Sequence, residues 1–557
     1  MQKILKLFIE KGFLLDREML DFFSQLEDED LAKGVLDKLS IISHEKVITK
    51  NVISDNLDKF KPVFFEVDSE KKKLIEKFFV NISVSVEVKK EVQIKDSEKN
   101  PEKQKKSGVK ILSSPVLASQ KLEVKDFIKH FRNRYNFLKG ILQTNKGLAN
   151  LTSIDKIGGS NNDFSIIGII NSKRMTKNKN LILEVEDLTG RINILINQNK
   201  EELFKKAGEI VLDDVIGFKC NGNKDFLFVN DFFYADSYLE NKKRAKEEVY
   251  ALFISDIHLG SGNFLKKNFE KFINWLNGGG CNKKQKEILG KIKYLFLVGD
   301  SIEGVGIYPG QEKDLVIKDI KEQYVELAKY LDKIPKHIQI IQCAGQHDAV
   351  RVAEPQPPLG KDFAEPLHKI ENLILVSNPS LVEIESYENE EGIKVLMYHG
   401  ASMHGMVNEI EELRLNNGHH TPAQVVKFLL KKRHLAPIHG LINTVYVPNK
   451  EEDSMLIKQV PDMVTTGDFH RVEIDMYNNI LLIACSCWQS MTAHEEKVGN
   501  KPDTCKVPIL NLKTRELKIL DFSDDVEESE EKKCKKQDDK IVCEVEKKDK
   551  IVCEVEK

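Results

Sequence analysis

The chain has 557 residues, of which 41% are hydrophobic and 31% charged, with a formal net charge of -3. That length predicts several domains with sizeable cores, and the near-neutral balance excludes a globally basic, nucleic-acid-coating protein, so any nucleic-acid surface must be local or supplied by a partner. No apolar run approaches the about 18 residues that a membrane-spanning helix needs. Nine cysteines without a Cys-x-x-Cys pair argue against a thiolate zinc site and, with no signal peptide in the sequence, for reduced thiols in a cytoplasmic protein.

Residues 1–67 read as a small helical domain, with Ile4, Leu5, Phe8 and Ile9 and then Leu20, Phe23 and Leu26 at helical spacing. Those residues form either an internal packing face or a docking module for another protein. Residues 68–122 read as a flexible charged linker, because Lys89 to Lys106 has too few apolar residues to offset its ordering entropy. Residues 123–245 read as a helix followed by an OB-fold barrel. The helix spans Val124 to Leu142, with Phe127, Ile128, Phe131 and Leu138 on its apolar side and Arg132, Arg134 and Lys139 facing water. The barrel follows from five alternating stretches between Phe164 and Tyr234, with a helix near Lys200 to Lys206 between the third and fourth. The few aromatics in its second and third strands leave two roles open, a guide for DNA or a protein–protein mount.

Residues 246–522 alternate strand and helix patterns, which predicts a two-sheet α/β sandwich, and residues 523–557 read as a charged disordered tail. The tail repeats Asp-Lys-Ile-Val-Cys-Glu-Val-Glu-Lys at 539–547 and 549–557. Within 246–522, five apolar runs each end in ligand-type residues. Tyr250 to Ile254 runs into Asp256 and His258; Tyr294 to Val298 into Gly299-Asp300; Ile338 to Cys343 into Gly345-Gln346-His347-Asp348; Val395 to Tyr398 into His399-Gly400; and Asp462 to Thr466 into Gly467-Asp468-Phe469-His470. Carboxylates, imidazoles and an amide delivered at the same end of successive strands point to one cation-binding edge, where open α/β sheets place their ligands. His404, His419, His420, His439 and His494 lie outside these stretches and read as surface or satisfied polar residues, while Trp488 reads as packing.

In that order the five stretches resemble the calcineurin-like metallophosphoesterases, whose pattern is D-x-H, G-D, G-N-H-D, H and G-H-x-H. Gly299-Asp300-Ser301-Ile302-Glu303-Gly304, Tyr308-Pro309-Gly310-Gln311, His347-Asp348-Ala349-Val350-Arg351 and Trp488-Gln489-Ser490 narrow the resemblance to the small-subunit family of the archaeal D-family DNA polymerases, over roughly residues 150–522. The resemblance implies a two-metal site in which Asp300 bridges. Asp256, His258 and His470 would complete one position, and Gln346, His399 and Asp468 the other. His347 would steady the phosphate or protonate the leaving oxygen, and Arg351 would hold a phosphate or form a salt bridge with Glu354 or Asp348. Mixed imidazole and carboxylate donors suit manganese first, with magnesium, iron or zinc as alternatives.

Gln346 and Asp468 depart from the family pattern, which has Asn and His there. Both still offer oxygen, so the change reads either as a compensated, oxygen-rich position or as a weakened one. The family further implies a 3'–5' exonuclease acting on single-stranded DNA within a heteromeric polymerase. The partners would be a large polymerising subunit, single-stranded and primer–template DNA, and the sliding clamp as a candidate contact. The alternative is a structural subunit whose phosphoesterase domain only scaffolds.

Overall fold

The computed structural model describes residues 2–15, 19–20, 22–23, 29–42, 47–48, 108–116, 121–158, 163–386, 391–440, 446–449, 451–523 and 555–556. They fall into two compact units, Met1–Lys103 and Gln104–Lys557. In the first, helices Gln2–Glu10 and Glu29–Ile42 accompany a parallel pair of two-residue strands, β1 (Leu14–Leu15) and β2 (Val47–Ile48). Phe8, Phe23, Leu31, Val35 and Leu39 bury together there. Leu26 and the charged stretch from Lys89 to Lys106 lie outside the described residues.

The second unit opens with strand β3 (Val109–Ser113), inside the stretch that composition assigns to a charged linker. The difference has a packing reason: Val109 is buried and the strand pairs antiparallel with a sheet edge, so tertiary contact supplies what local composition lacks. The helix Val124–Leu142 follows, with the predicted bounds. Its buried face matches the predicted one only in part, with Leu138 buried and Phe127 and Phe131 half-buried as expected. His130, Arg134, Tyr135, Leu138 and Leu142 are buried, Ile128 is exposed, and Arg134, expected in water, is only 1% exposed.

Five strands close into a barrel in the order β4-β5-β6-β8-β7: β4 (Phe164–Met175), β5 (Leu181–Glu186), β6 (Arg191–Ile196), β7 (Val215–Gly222) and β8 (Leu227–Phe233). The helix Glu201–Ala207 sits between the third and fourth, as the sequence predicts. Period-two burial puts Leu181, Leu183 and Val185 of β5 and Ile192, Ile194 and Ile196 of β6 inside. The helix Val124–Leu142 packs on the outside of this barrel through Tyr135, Leu138 and Leu142 against Ile167 and Val215.

Two mixed sheets follow. The first runs β12-β11-β10-β9-β18-β19-β20, with parallel strands β9 (Tyr250–Ile254), β10 (Ile292–Val298), β11 (Gln339–Cys343) and β12 (Leu373–Val376). β18 (Lys506–Asn511) joins β9 antiparallel, and β19 (Leu517–Asp521) pairs with it. Of the tail, only Val555–Glu556 is described, as β20 beside β19; its predicted disorder otherwise concerns residues outside the description. The second sheet runs β16-β17-β15-β14-β13-β3, from β13 (Ser380–Ile384), β14 (Ile393–Met397), β15 (Met463–Thr466), β16 (Glu473–Tyr477) and β17 (Ile480–Ala484).

Alternation along the central strands explains the layers. Phe253, Tyr294, Phe296 and Val298 meet Val395, Met397, Met463 and Ile483 between the sheets. The intervening Leu252, Ile254, Leu295 and Leu297 face outward, onto helices that include Lys266–Leu276 and Ile320–Asp332. Strands buried on both faces read as unbroken apolar runs, which is why they are visible in the sequence. The helix Ile320–Asp332 begins where the Asp319 side chain caps the amides of Lys321 and Glu322.

Candidate active site

The loops after β9, β10, β11, β14 and β15 all leave carboxyl ends of parallel strands and meet at one edge of the sandwich. They are laced together by their backbones: Asp256 N donates to Gly299 O (3.2 Å), His258 N to Asp300 O (3.1 Å) and Gly467 N to His399 O (2.9 Å). Asp256, His258, Asp300, Asp468 and His470 have φ of 50°, 50°, 44°, 67° and 55°. A non-glycine residue in this left-handed region costs on the order of 1–3 kcal/mol, which the surrounding structure must over-determine. Glycines make room for them. A Cβ on Gly345 would lie 2.1 Å from Asp300 Oδ1, one on Gly299 would lie 2.3 Å from His399 Nδ1, and one on Gly467 would lie 2.6 Å from Asp256 Oδ2.

The predicted ligands converge. Asp256 Oδ1 lies 3.5 Å from His470 Nε2 and 3.9 Å from both His258 Nε2 and His399 Nε2. His258 Nε2 and His470 Nε2 are 3.2 Å apart, and His399 Nε2 is 3.2 Å from Asp300 Oδ2. Gln346 Nε2 donates to Asp468 Oδ1, joining the two residues that depart from the family pattern. His347 packs edge-on to His258 with ring centroids 4.7 Å apart, and its amide donates to Asp300 Oδ1 (2.8 Å). Arg351 Nε and Nη2 donate to the Pro355 carbonyl at 2.9 and 2.6 Å. Trp488 is fully buried against Phe269 and Phe272, as expected of a packing residue.

Asp348 organises the turn. It accepts from Gly345 N (2.9 Å), Ser301 Oγ (2.6 Å) and the Tyr324 hydroxyl (3.2 Å). Three carboxylates or carbonyls set the imidazole tautomers. Glu303 Oε2 meets His258 Nδ1 at 2.9 Å, Glu495 Oε1 meets His470 Nδ1 at 2.9 Å, and the Val298 carbonyl meets His399 Nδ1 at 2.7 Å. In each ring Nδ1–H is thereby the donor and Nε2 is left for the site, the arrangement that orients metal-bound histidines. Sequence reasoning misses Glu303 and Glu495 as functional residues. Glu303 stands three residues after Asp300 in a quoted motif, and Glu495 closes a Thr492-x-x-Glu capping box, a local signature that says nothing of His470.

Burial opposes ionisation of Asp300, but the His399 and His347 imidazoles hold its carboxyl well below the carboxylate range. Burial likewise opposes charge on His399, and Asp300 beside it raises the imidazole well above its ordinary value. For Asp468 burial is again the largest influence, outweighed by His404 and His399, which bring it down to about 2. The donor set fits divalent cations. Asp256, His258 and His470, and separately Asp256, Asp300 and His399, bring ligand atoms within 4.8 Å of one another. His399 Nε2 and Gln346 Oε1 are buried without an aligned hydrogen bond, as expected of atoms whose partner is a cation.

Residues 251–473 match the family model for the B subunits of DNA polymerases alpha and epsilon. The chain is 37% identical over 406 residues to a DNA polymerase II small subunit of Pyrococcus abyssi, covering 72% of this chain and 63% of that protein. It is 35% identical over 477 residues to that of Pyrococcus horikoshii, covering 84% and 74%, and 36% identical over 402 residues to that of Methanothermobacter thermautotrophicus, covering 72% and 80%. The chain thus spans less than two thirds of the Pyrococcus abyssi relative's length. Among solved structures, an archaeal phosphodiesterase aligns with 49% of this chain and 98% of its own, at 14% identity and a TM-score of 0.24, too low to establish a shared fold. At that level of identity to proteins of which it covers two thirds or more, this chain belongs to the family of DNA polymerase II small subunits.

Proposed function

We propose that the chain is the small subunit of a heteromeric DNA polymerase and that its site hydrolyses phosphodiester bonds, removing nucleotides from the 3' end of single-stranded DNA. The observation that carries the reading is the convergence of seven ligand-type side chains from five strand ends, with buried donor atoms lacking aligned partners. Asp256, His258, Asp300 and His470 would hold one divalent cation, and Asp300, Gln346, His399 and Asp468 a second, with manganese the first candidate. Two such ions, when bound, supply positive charge to the attacking and leaving oxygens of an in-line displacement.

The chain's own residues do the rest. Glu303, Glu495 and the Val298 carbonyl fix three imidazoles so that Nε2 faces inward. His347 Nδ1 donates to the Glu303 carbonyl (2.9 Å), so Nε2 is the ring atom left to hold a phosphate oxygen or pass a proton to the leaving 3'-oxygen. The polymerising partner is a larger subunit, since the sequence carries no recognisable polymerase carboxylate site. One observation favours the scaffold reading as runner-up: Gln346 spends its amide nitrogen on Asp468, so both unusual ligands are tied to each other.

The test is digestion of a 5'-labelled single-stranded oligonucleotide with manganese, by the chain alone and with the large subunit. A ladder shortening from the 3' end is expected, lost in Asp300→Ala and reduced at least about 100-fold in His347→Ala. Absence of cleavage in both formats would leave the scaffold reading.

A further inference from the structure

His404 lies outside the five motifs, reads as a surface or satisfied polar residue in the sequence, and is exposed in the structure. The fold brings it to the site: it stands on the helix Met403–Glu409, five residues beyond His399. Its Nε2 is 3.0 Å from Asp468 Oδ2. The two oxygens of Asp468 therefore face different neighbours. Oδ1 accepts from Gln346 and lies 3.9 Å from His399 Nε2, whereas the buried Oδ2 faces His404 Nε2. The His404 ring is braced on its far side. It packs on Phe469 with centroids 4.4 Å apart, and its Nδ1 is 3.2 Å from His419 Nδ1.

A carboxylate offering one oxygen to a cation is free to swing unless the other oxygen is held, and ligating carboxylates are themselves hydrogen-bonded for this reason. Asp468 is also shorter than the imidazole the family pattern expects, so its reach depends more on how it is aimed. We propose that His404 is a positioning residue of the second cation position, its Nε2 holding Asp468 Oδ2 so that Oδ1 stays turned toward His399 and Gln346. The departure at 468 is then compensated from 404, and the oxygen-rich position is built, not merely eroded. This rests on the two-cation reading above.

The test is calorimetric titration of Mn2+ into the metal-stripped full chain, with electron paramagnetic resonance reporting manganese–manganese coupling. The wild type is expected to take up two ions, and Asp468→Ala to lose the second. His404→Ala should weaken the second ion about 10–100-fold, leave the first unchanged and lose the coupling at limiting manganese. His404→Gln, whose amide nitrogen reaches the place of Nε2, should restore most of the affinity. The inference is overturned if His404→Ala binds both ions as the wild type does, if it weakens both equally, or if His404→Gln is no better than His404→Ala. A wild type that binds fewer than two ions overturns the two-cation reading itself, and the inference with it, before any variant is compared.

Discussion

At the residue scale the site is a problem of crowding solved by glycine. Asp300 can stand beneath two imidazoles only because Gly345 has no side chain, the space a Cβ would need being filled by Asp300 Oδ1 at 2.1 Å and Asp300 N at 2.6 Å. Gly345→Ala should therefore push the Asp300 carboxylate aside, costing about 1–3 kcal/mol of stability as overpacking does. Manganese uptake should fall with it, measured by calorimetry alongside thermal unfolding; unchanged uptake would mean that Asp300 is not placed by that contact. Most ligands are legible in the sequence because they follow apolar runs at fixed spacing. The contact of Arg351 with the Pro355 carbonyl is not legible, because the neighbourhood of a motif does not say where a long side chain turns. Glu303, Glu495 and His404 escape because their roles exist only against imidazoles or carboxylates distant in sequence.

At the element scale, the helix Val124–Leu142 shows local reading succeeding on bounds and only partly on facing. Periodicity locates the helix, but Arg134, one residue before Tyr135 on its buried side, is drawn inward by a specific partner. Arg134 Nε donates to Asp453 Oδ2 (2.7 Å), Nη1 to the Pro437 carbonyl (2.6 Å) and Nη2 to the Tyr446 hydroxyl (2.7 Å). Asp453 Oδ2 also meets His434 Nε2 at 2.8 Å and His130 Nε2 at 3.2 Å, while the Nδ1 atoms of these rings accept from the Ala436 and Asn449 amides. His434 is thus satisfied as a neutral ring, whereas His130 Nε2 lies near Asp453 Oδ2 without an aligned hydrogen bond.

Burial lowers each of them to about 4. Arg134 adds to the effect, and Asp453 opposes it. The unfolded chain takes up protons from about pH 6.5 downward, whereas the folded chain does so only near 4, so the stability is complete above pH 6.5 and is lost as pH falls toward 4. The loss should reach a few kcal/mol, at about 1.4 kcal/mol for each pH unit of separation per histidine. Melting temperature followed between pH 7 and 4 checks this, and His434→Gln should flatten the slope; an unchanged slope would show that the histidines do not drive it.

At the scale of the whole molecule, the barrel, its outer helix and the two-sheet sandwich lie in one compact unit, Gln104–Lys557, and the ligands all come from that unit. A fragment of residues 104–557 should bind manganese with the affinity and stoichiometry of the full chain, as calorimetry would show; a loss of more than about tenfold, the scale on which supporting contacts act, would mean the first unit supports the site. The sequence by itself determined the central strands, the barrel with its inserted helix and the side chains that converge at the candidate site, because burial on both faces and strand-end position leave short-range patterns. It also marked Gln346 and Asp468 as departures. Only the tertiary structure decided that Val109–Ser113 is a sheet edge, that Arg134 is buried and that His404 reaches Asp468. In each case the deciding partner is far away along the chain, or lies across a turn whose geometry spacing alone does not set, and burial or ion pairing with that partner outweighs the local preference for water.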